Sequence, residues 1–138
     1  MQTLEKLGDE LSPKITLDHL NNKFVIAGES RPENPVKYFE PIFAWFNEYF
    51  NYAYVLNDLA LSNKKLTNTL DIELEYFNST SAKVLFDLLM LLKTTGEKKF
   101  NIVFEVNWHY DADDVDMLDT GKEMENLCGL KFNYISKA

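Results

Sequence analysis

The stretch that decides the fold is Leu70–Leu92, LDIELEYFNSTSAKVLFDLLMLL, in which one hydrophobic period gives way to another. Its first half alternates apolar and acidic residues, the period of a strand with one buried face. In its second half the apolar residues follow helical spacing, through Val84, Leu85, Leu88, Leu89 and Leu92. We therefore predict a strand that ends near Phe77 and leads into an amphipathic helix.

Four polar residues, Asn78, Ser79, Thr80 and Ser81, join these two segments. Side chains of these types accept hydrogen bonds from the free backbone N–H groups at a helix start, so they predict a helix cap. A hydroxyl at this place also lies at the positive end of the helix macrodipole, where an anion is favoured. The residues are explained either by capping alone or by a regulatory hydroxyl.

Composition limits the classes of protein. The chain has 138 residues, 46% of them hydrophobic, which suits one domain over residues 1–138. The net charge of -8 opposes binding to nucleic acid or to anionic membranes, so proteins are the expected partners. Arg31 is the only arginine, which makes recognition of a phosphorylated ligand an unfavourable interpretation. Cys128 is the only cysteine, so there is no internal disulfide and no multi-cysteine zinc site.

The first residues predict a cytoplasmic location. They are acidic where a signal peptide is basic, and no apolar run in the chain approaches the length of a membrane span. No membrane insertion is expected. Residues 1–14 are weakly specified, with Leu4, Leu7 and Leu11 spaced for a frayed helical turn that Pro13 closes.

The other segments alternate between strand and helix patterns. Residues 15–19 and 23–29 predict a hairpin that turns at Asn21-Asn22. Asn34 and Pro35 begin an aromatic helix, whose second ring-bearing side is a docking patch if it stays exposed. Gly96 is expected to end the central helix. A strand over 100–108, a helix over 114–128 and a short strand over 131–135 follow.

Helices between successive strands imply largely parallel pairing. Both of the clearest strands have one polar side, whereas a sheet covered on both faces needs strands that are apolar throughout. We predict an α/β fold of two layers, with a mostly parallel sheet of about five strands and helices mainly on one face.

Two other groupings suggest chemistry. The cluster around His109, which includes Asp111, Asp113, Asp114 and Asp116, suggests a metal, but it lacks the spacing of a calcium loop. Acidic capping of the following helix explains the aspartates better. Ser79, His109 and Asp111 also have the residue types of a nucleophilic triad, without any supporting motif. His19 has no second metal ligand nearby, which favours a solvated or capping role.

Three motifs, in this order, resemble the SiaC family of small bacterial regulatory phosphoproteins. They are RPENP before the aromatic helix, LEYFNSTSAKVLFDLL, and the strand end Trp108-His109-Tyr110-Asp111. The resemblance extends from about Lys23 to Ile135. It implies a fold like the STAS domains of anti-sigma-factor antagonists, and a protein that is not an enzyme and holds no cofactor, metal ion or catalytic residue.

The resemblance also implies a partner-switching cycle. A SiaB-type protein kinase phosphorylates a hydroxyl at the start of the central helix, and a PP2C-like phosphatase of the SiaA type removes the phosphate. The unphosphorylated form binds and activates a diguanylate cyclase, which links the switch to cyclic di-GMP and biofilm formation.

The family motif assigns the site residues. It reads Tyr-aliphatic-Asn-Thr-Ser-Ser, and here Tyr76 to Ser81 reads Tyr-Phe-Asn-Ser-Thr-Ser. Ser79 therefore occupies the acceptor position, and Thr80 is the second choice. The expected partner-binding residues are Asn78, Ser79, Thr80, Ser81 and Lys83.

Three alternatives stay open on the sequence. The first is an anti-sigma-factor antagonist that binds a sigma-sequestering kinase. The second is a metal-dependent enzyme built on His109 and the aspartates. The third is a scaffold that is never phosphorylated and binds proteins through the tyrosine-rich side of the first helix.

Overall fold

A computed structural model describes residues 1–138. Its six strands form one sheet and are β1 Leu4–Lys6, β2 Lys14–Asp18, β3 Lys23–Ser30, β4 Leu66–Phe77, β5 Ile102–Asp111 and β6 Phe132–Lys137. The helices are α1 Pro35–Leu56, α2 Leu59–Ser62, α3 Ser79–Leu91, α4 Lys98–Phe100 and α5 Val115–Cys128. A π-helical segment, Leu92–Glu97, joins α3 to α4.

The strands lie in the sheet in the order in which they occur in the chain. β1, β2 and β3 pair antiparallel, and the pairs from β3 to β6 are parallel. The carboxyl ends of β3 and β4 therefore lie side by side, with Ser30 opposite Phe77. This pairing brings the loop after β3 next to the start of α3.

Helices cover one face of the sheet. Along β5, every second side chain is fully buried, at Ile102, Phe104, Val106 and Trp108, whereas Asn107 and His109, which alternate with them, are only half-buried. β4 shows the same alternation, with Leu70 and Ile72 buried against the helices and Asp71 on the other face. The predicted two-layer α/β architecture with a mostly parallel sheet is confirmed.

The aromatic helix α1 begins as predicted, with the Asn34 side chain accepting a hydrogen bond from Lys37 N at 3.1 Å and Pro35 in the first turn. Its second ring-bearing side, however, is not a free docking patch. Trp45 and Tyr49 are stacked 5.2 Å apart in the core. Although α1 has 22 residues, neither it nor any other helix is long and apolar enough to cross a bilayer.

Two sequence predictions about local structure are wrong. Residues Leu4–Lys6 form strand β1 rather than a helical turn, because their backbone groups pair with β2. Gly96 does not end the helix, which continues to Phe100 and stops at Asn101 with a positive φ of 60°. A Cβ at Gly96 would lie 2.9 Å from the Phe50 ring, so this glycine serves close packing.

His19 is neither solvated nor a cap. Its ring lies among three aromatic rings of α1, at centroid distances of 6.1 Å to Trp45, 6.1 Å to Tyr49 and 5.4 Å to Tyr52. Neither ring nitrogen has a hydrogen-bond partner. The imidazole therefore takes part in aromatic packing, a contact that only the tertiary fold creates.

Candidate functional site at the start of the central helix

The strand-to-helix connection predicted from the sequence is present. β4 ends at Phe77, Asn78 is the cap and α3 begins at Ser79. The Asn78 side-chain oxygen accepts a hydrogen bond from Ser81 N at 2.9 Å, while Asn78 N donates to Ser30 O at 3.1 Å. The turn is therefore fixed both to its own helix and to the end of β3.

The three hydroxyl residues of this turn have different surroundings. Ser79 and Thr80 are exposed to solvent. Ser81 is 1% exposed, and its Oγ accepts a hydrogen bond from Ser30 Oγ at 2.9 Å. The Ser79 and Thr80 hydroxyls are therefore open to solvent in this conformation, whereas Ser81 holds the first turn of α3 against β3.

The electrostatics of the turn favour an added anion. The first turn of α3 carries no acidic side chain, and the free N–H groups of a helix start give this end a partial positive charge. A phosphate attached to Ser79 or Thr80 would be placed beside these groups.

Lys83 is the cation of the predicted site. It lies four residues after Ser79 in α3, and its Nζ is 2.6 Å from Asp87 Oδ1. Both side chains are exposed, 69% for Lys83 and 47% for Asp87. The pair is thus a weak surface contact, in which water or another ion can replace either partner.

Two shallow clefts flank α3. The cleft between α1 and α3 has a volume of about 280 Å³ and is lined by Val36, Glu40, Phe43, Val84 and Asp87. The cleft between α3 and α5 has a volume of about 260 Å³, and its apolar lining includes Ala82, Phe86, Met124 and Leu127. Leu127 is 63% exposed. The candidate acceptor turn therefore lies at the end of a helix with an accessible apolar cleft on each side.

Ser30 is the residue of this site that sequence reasoning missed. It lies 51 positions before Ser81, and no local pattern marks it. Its position at the end of a strand is readable from the sequence, but its partner follows only from the parallel pairing of β3 with β4.

The His109 cluster does not assemble as a site. His109 Nε2 is 2.8 Å from Asp71 Oδ1 and its Nδ1 is 3.7 Å from Glu73 Oε1, on the open face of the sheet. Both ring nitrogens thus face carboxylates of β4, and the triad of Ser79, His109 and Asp111 is not formed. Asp114 caps α5 by accepting a hydrogen bond from Met117 N at 3.0 Å, as the capping interpretation predicts. No group of three or more His, Cys, Asp or Glu side chains is arranged to hold a metal ion.

The two-layer α/β fold thus presents two exposed hydroxyls at a helix start, a place where an added phosphate changes the local electrostatics. Residues 7–137 match the family described as SiaC family regulatory phosphoprotein, and the chain belongs to this family.

Individual relatives have the same fold. SiaC of Pseudomonas aeruginosa superposes with a TM-score of 0.77 at 23% identity, over 99% of this chain and 100% of that one. A chain of the crystal structure of diguanylate cyclase SiaD in complex with its activator SiaC, from the same organism, superposes with a TM-score of 0.77 at 22% identity, over 97% of this chain and 99% of that one. An uncharacterized protein of strain UCBPP-PA14 is 24% identical over 132 residues, 96% of this chain and 94% of its own length. The expected likeness to STAS domains stays a prediction.

Proposed function

We propose that this protein is a phosphorylation-controlled partner-switching regulator that catalyses no reaction itself. In its unphosphorylated form it binds and activates a diguanylate cyclase in the cytoplasm, and so controls cyclic di-GMP. A SiaB-type kinase and a PP2C-like phosphatase set its phosphorylation state. The proposal is supported by membership of a regulatory phosphoprotein family and by the related SiaC that is described as the activator of SiaD.

The observation that carries the proposal is the exposure of Ser79 in the first turn of α3. The hydroxyl is accessible, the turn is held by Asn78 and Ser81, and the first turn of α3 carries no acidic side chain. Ser79 is the proposed acceptor, with Thr80 as the second choice. Asn78, Ser81 and Lys83 complete the proposed partner-binding turn, Ser81 acting from the core.

Phosphorylation acts through charge rather than through refolding. It adds roughly -1.5 to -2 charges at neutral pH to a surface that docks a partner. Removing this charge from water and facing it with acidic groups of the partner is unfavourable. The cyclase therefore dissociates, while the fold of the regulator stays the same.

Two measurements test this proposal. Fragment mass spectrometry of the protein from its own cells is expected to place phosphate on Ser79. With the diguanylate cyclase of the same organism, Ser79→Asp is expected to weaken binding at least about tenfold, roughly 1.4 kcal/mol, and to reduce cyclic di-GMP synthesis.

The control for added charge is Ser62→Asp, at an exposed serine that ends α2. Ser79→Ala is expected to bind like the wild type. Unmodified residues 79–81 under all growth conditions, or undiminished cyclase binding by Ser79→Asp, would contradict the assignment.

A further inference from the structure

The Lys83–Asp87 ion pair lies on the same side of α3 as Ser79. Ser79, Lys83 and Asp87 follow one another at intervals of four residues, so their side chains are neighbours along one side of the helix. Building on the proposed phosphorylation of Ser79, we propose an exchange of ion-pair partners: the Lys83 ammonium group leaves Asp87 and pairs with the phosphate. Phosphorylation then leaves Asp87 without its cation.

The order of charges along the helix favours this exchange. An anion that precedes its cation by four residues forms a more stable pair than the reverse order. Lys83 and Asp87 have the unfavourable order, with the cation first, whereas phosphoserine at position 79 and Lys83 have the favourable one. The phosphate also carries up to twice the charge of a carboxylate, and the exposed pair that it must break is weak.

Lys83 is a neighbour of both candidate acceptors, because it lies four positions after Ser79 and three after Thr80. The residue four positions after Thr80 is Val84, which is buried and carries no charge. Arg31, at the neighbouring strand end, also forms an exposed ion pair, 3.3 Å from Glu29, and is therefore the competing cation that the experiment has to test. Lys83 is the cation assigned to the phosphate because it lies on the same side of α3 as position 79.

The exchange carries the effect of the phosphate along α3. Asp87 and Glu40 both line the cleft between α1 and α3, and no basic residue lines it. When Lys83 turns towards the phosphate, both carboxylates face the cleft without a cation. Because eight residues of helix span roughly 12 Å, this change occurs about two turns away from the phosphate itself. Phosphorylation thereby makes the α1–α3 cleft more negative.

The experiment uses the full chain with phosphoserine placed at position 79 during synthesis, so that no kinase is needed. A 31P NMR titration follows the second proton of the phosphate, which dissociates near pH 6 in an unperturbed phosphoserine. Lys83→Gln is expected to raise the midpoint by roughly 0.2–0.4 pH unit, because an ion pair at this spacing contributes a few tenths of a kcal/mol.

Two variants serve as controls. Lys93→Gln breaks another lysine–carboxylate pair of the same spacing, less exposed and further along the helical region, where Lys93 Nζ is 2.5 Å from Glu97, and is expected to leave the midpoint unchanged. Arg31→Gln tests the competing guanidinium. At one fixed pH, the 13C carboxyl shift of Asp87 in the phosphorylated wild type is expected to match that in unphosphorylated Lys83→Gln.

Two results would overturn the exchange. One is a midpoint that is the same in wild type and Lys83→Gln, or that moves with Arg31→Gln instead. The other is an Asp87 signal that phosphorylation does not change. Because the phosphate is installed synthetically, these results are separate from mass spectrometry of the cellular protein, which tests whether Ser79 is the natural acceptor.

Discussion

At the scale of single residues, the hydroxyl pair of Ser30 and Ser81 holds the acceptor turn. Both side chains are 1% exposed, and their oxygens are 2.9 Å apart. A buried hydroxyl that loses its partner keeps its desolvation cost without the compensating hydrogen bond. The pair thus makes the position of Ser79 depend on a residue of β3.

We expect Ser30→Ala and Ser81→Ala each to lower the free energy of unfolding by about 1–3 kcal/mol. The double variant is expected to lose less than the sum, because the second substitution removes a hydroxyl that is already unsatisfied. Urea unfolding of the four proteins measures this coupling. Ser136→Ala, at an exposed position of β6, is the matched control, and additive losses would show that the two hydroxyls act independently.

At the scale of the elements, close packing between helices and sheet explains what periodicity predicted incorrectly. The alternation in β4 and β5 and the helical spacing of α3 were readable because each pattern depends on one element. The continuation of the helix through Gly96 could not be predicted, because this glycine packs against Phe50 of another helix. The sequence likewise left open whether the side of α1 that carries Trp45 and Tyr49 stays exposed. In the structure Trp45 Nε1 donates a hydrogen bond to Gln2 O at 2.9 Å, and Tyr49 Oη accepts one from Asn68 Nδ2 at 2.8 Å.

Gly121 shows the same dependence in α5. A Cβ there would lie 2.6 Å from Trp108 Nε1, which donates a hydrogen bond to Met117 O at 2.9 Å. Gly121→Ala is therefore expected to destabilise the protein by about 1–3 kcal/mol, although alanine is the better helix former by about 1 kcal/mol. The midpoint of urea unfolding measures the change. Asp119→Ala, on the exposed side of α5, is expected to stay within roughly 0.5 kcal/mol, and a stabilised Gly121→Ala would contradict the close contact.

At the scale of the whole molecule, Glu125 connects the last strand to the helical layer. Its carboxylate accepts a hydrogen bond from Tyr134 Oη at 2.6 Å and another from Phe132 N at 2.8 Å. Burial, together with the hydrogen bond to Glu125 and its negative charge, raises the pKa of the Tyr134 hydroxyl. The hydrogen bond between Tyr134 and Glu125 therefore depends on the Tyr134 hydroxyl keeping its proton.

This raised pKa makes stability fall at alkaline pH. The unfolded chain begins to lose the Tyr134 proton near pH 10, while the folded protein keeps it. The contribution to the free energy of unfolding is therefore complete below about pH 10 and is lost as the pH rises further. Tyr134→Phe is expected to flatten this decline in denaturant titrations between about pH 9 and 11, and Tyr76→Phe, at an exposed tyrosine, is the control for the substitution itself. If the free energy of unfolding of Tyr134→Phe declined with pH as steeply as that of the wild type, Tyr134 would not be the cause of the decline.

By itself, the sequence determined the α/β class, the strand-to-helix turn, a helix cap within residues 78–81 and the family, because these follow from local periods and from motifs of adjacent residues. Only the tertiary structure decided that Ser79 and Thr80 are exposed while Ser81 is buried, and that α1 has no free aromatic side. The physical reason is that burial and hydrogen bonding depend on partners far away in the chain. Ser30 and Ser81, separated by 51 positions, meet only when β3 pairs with β4.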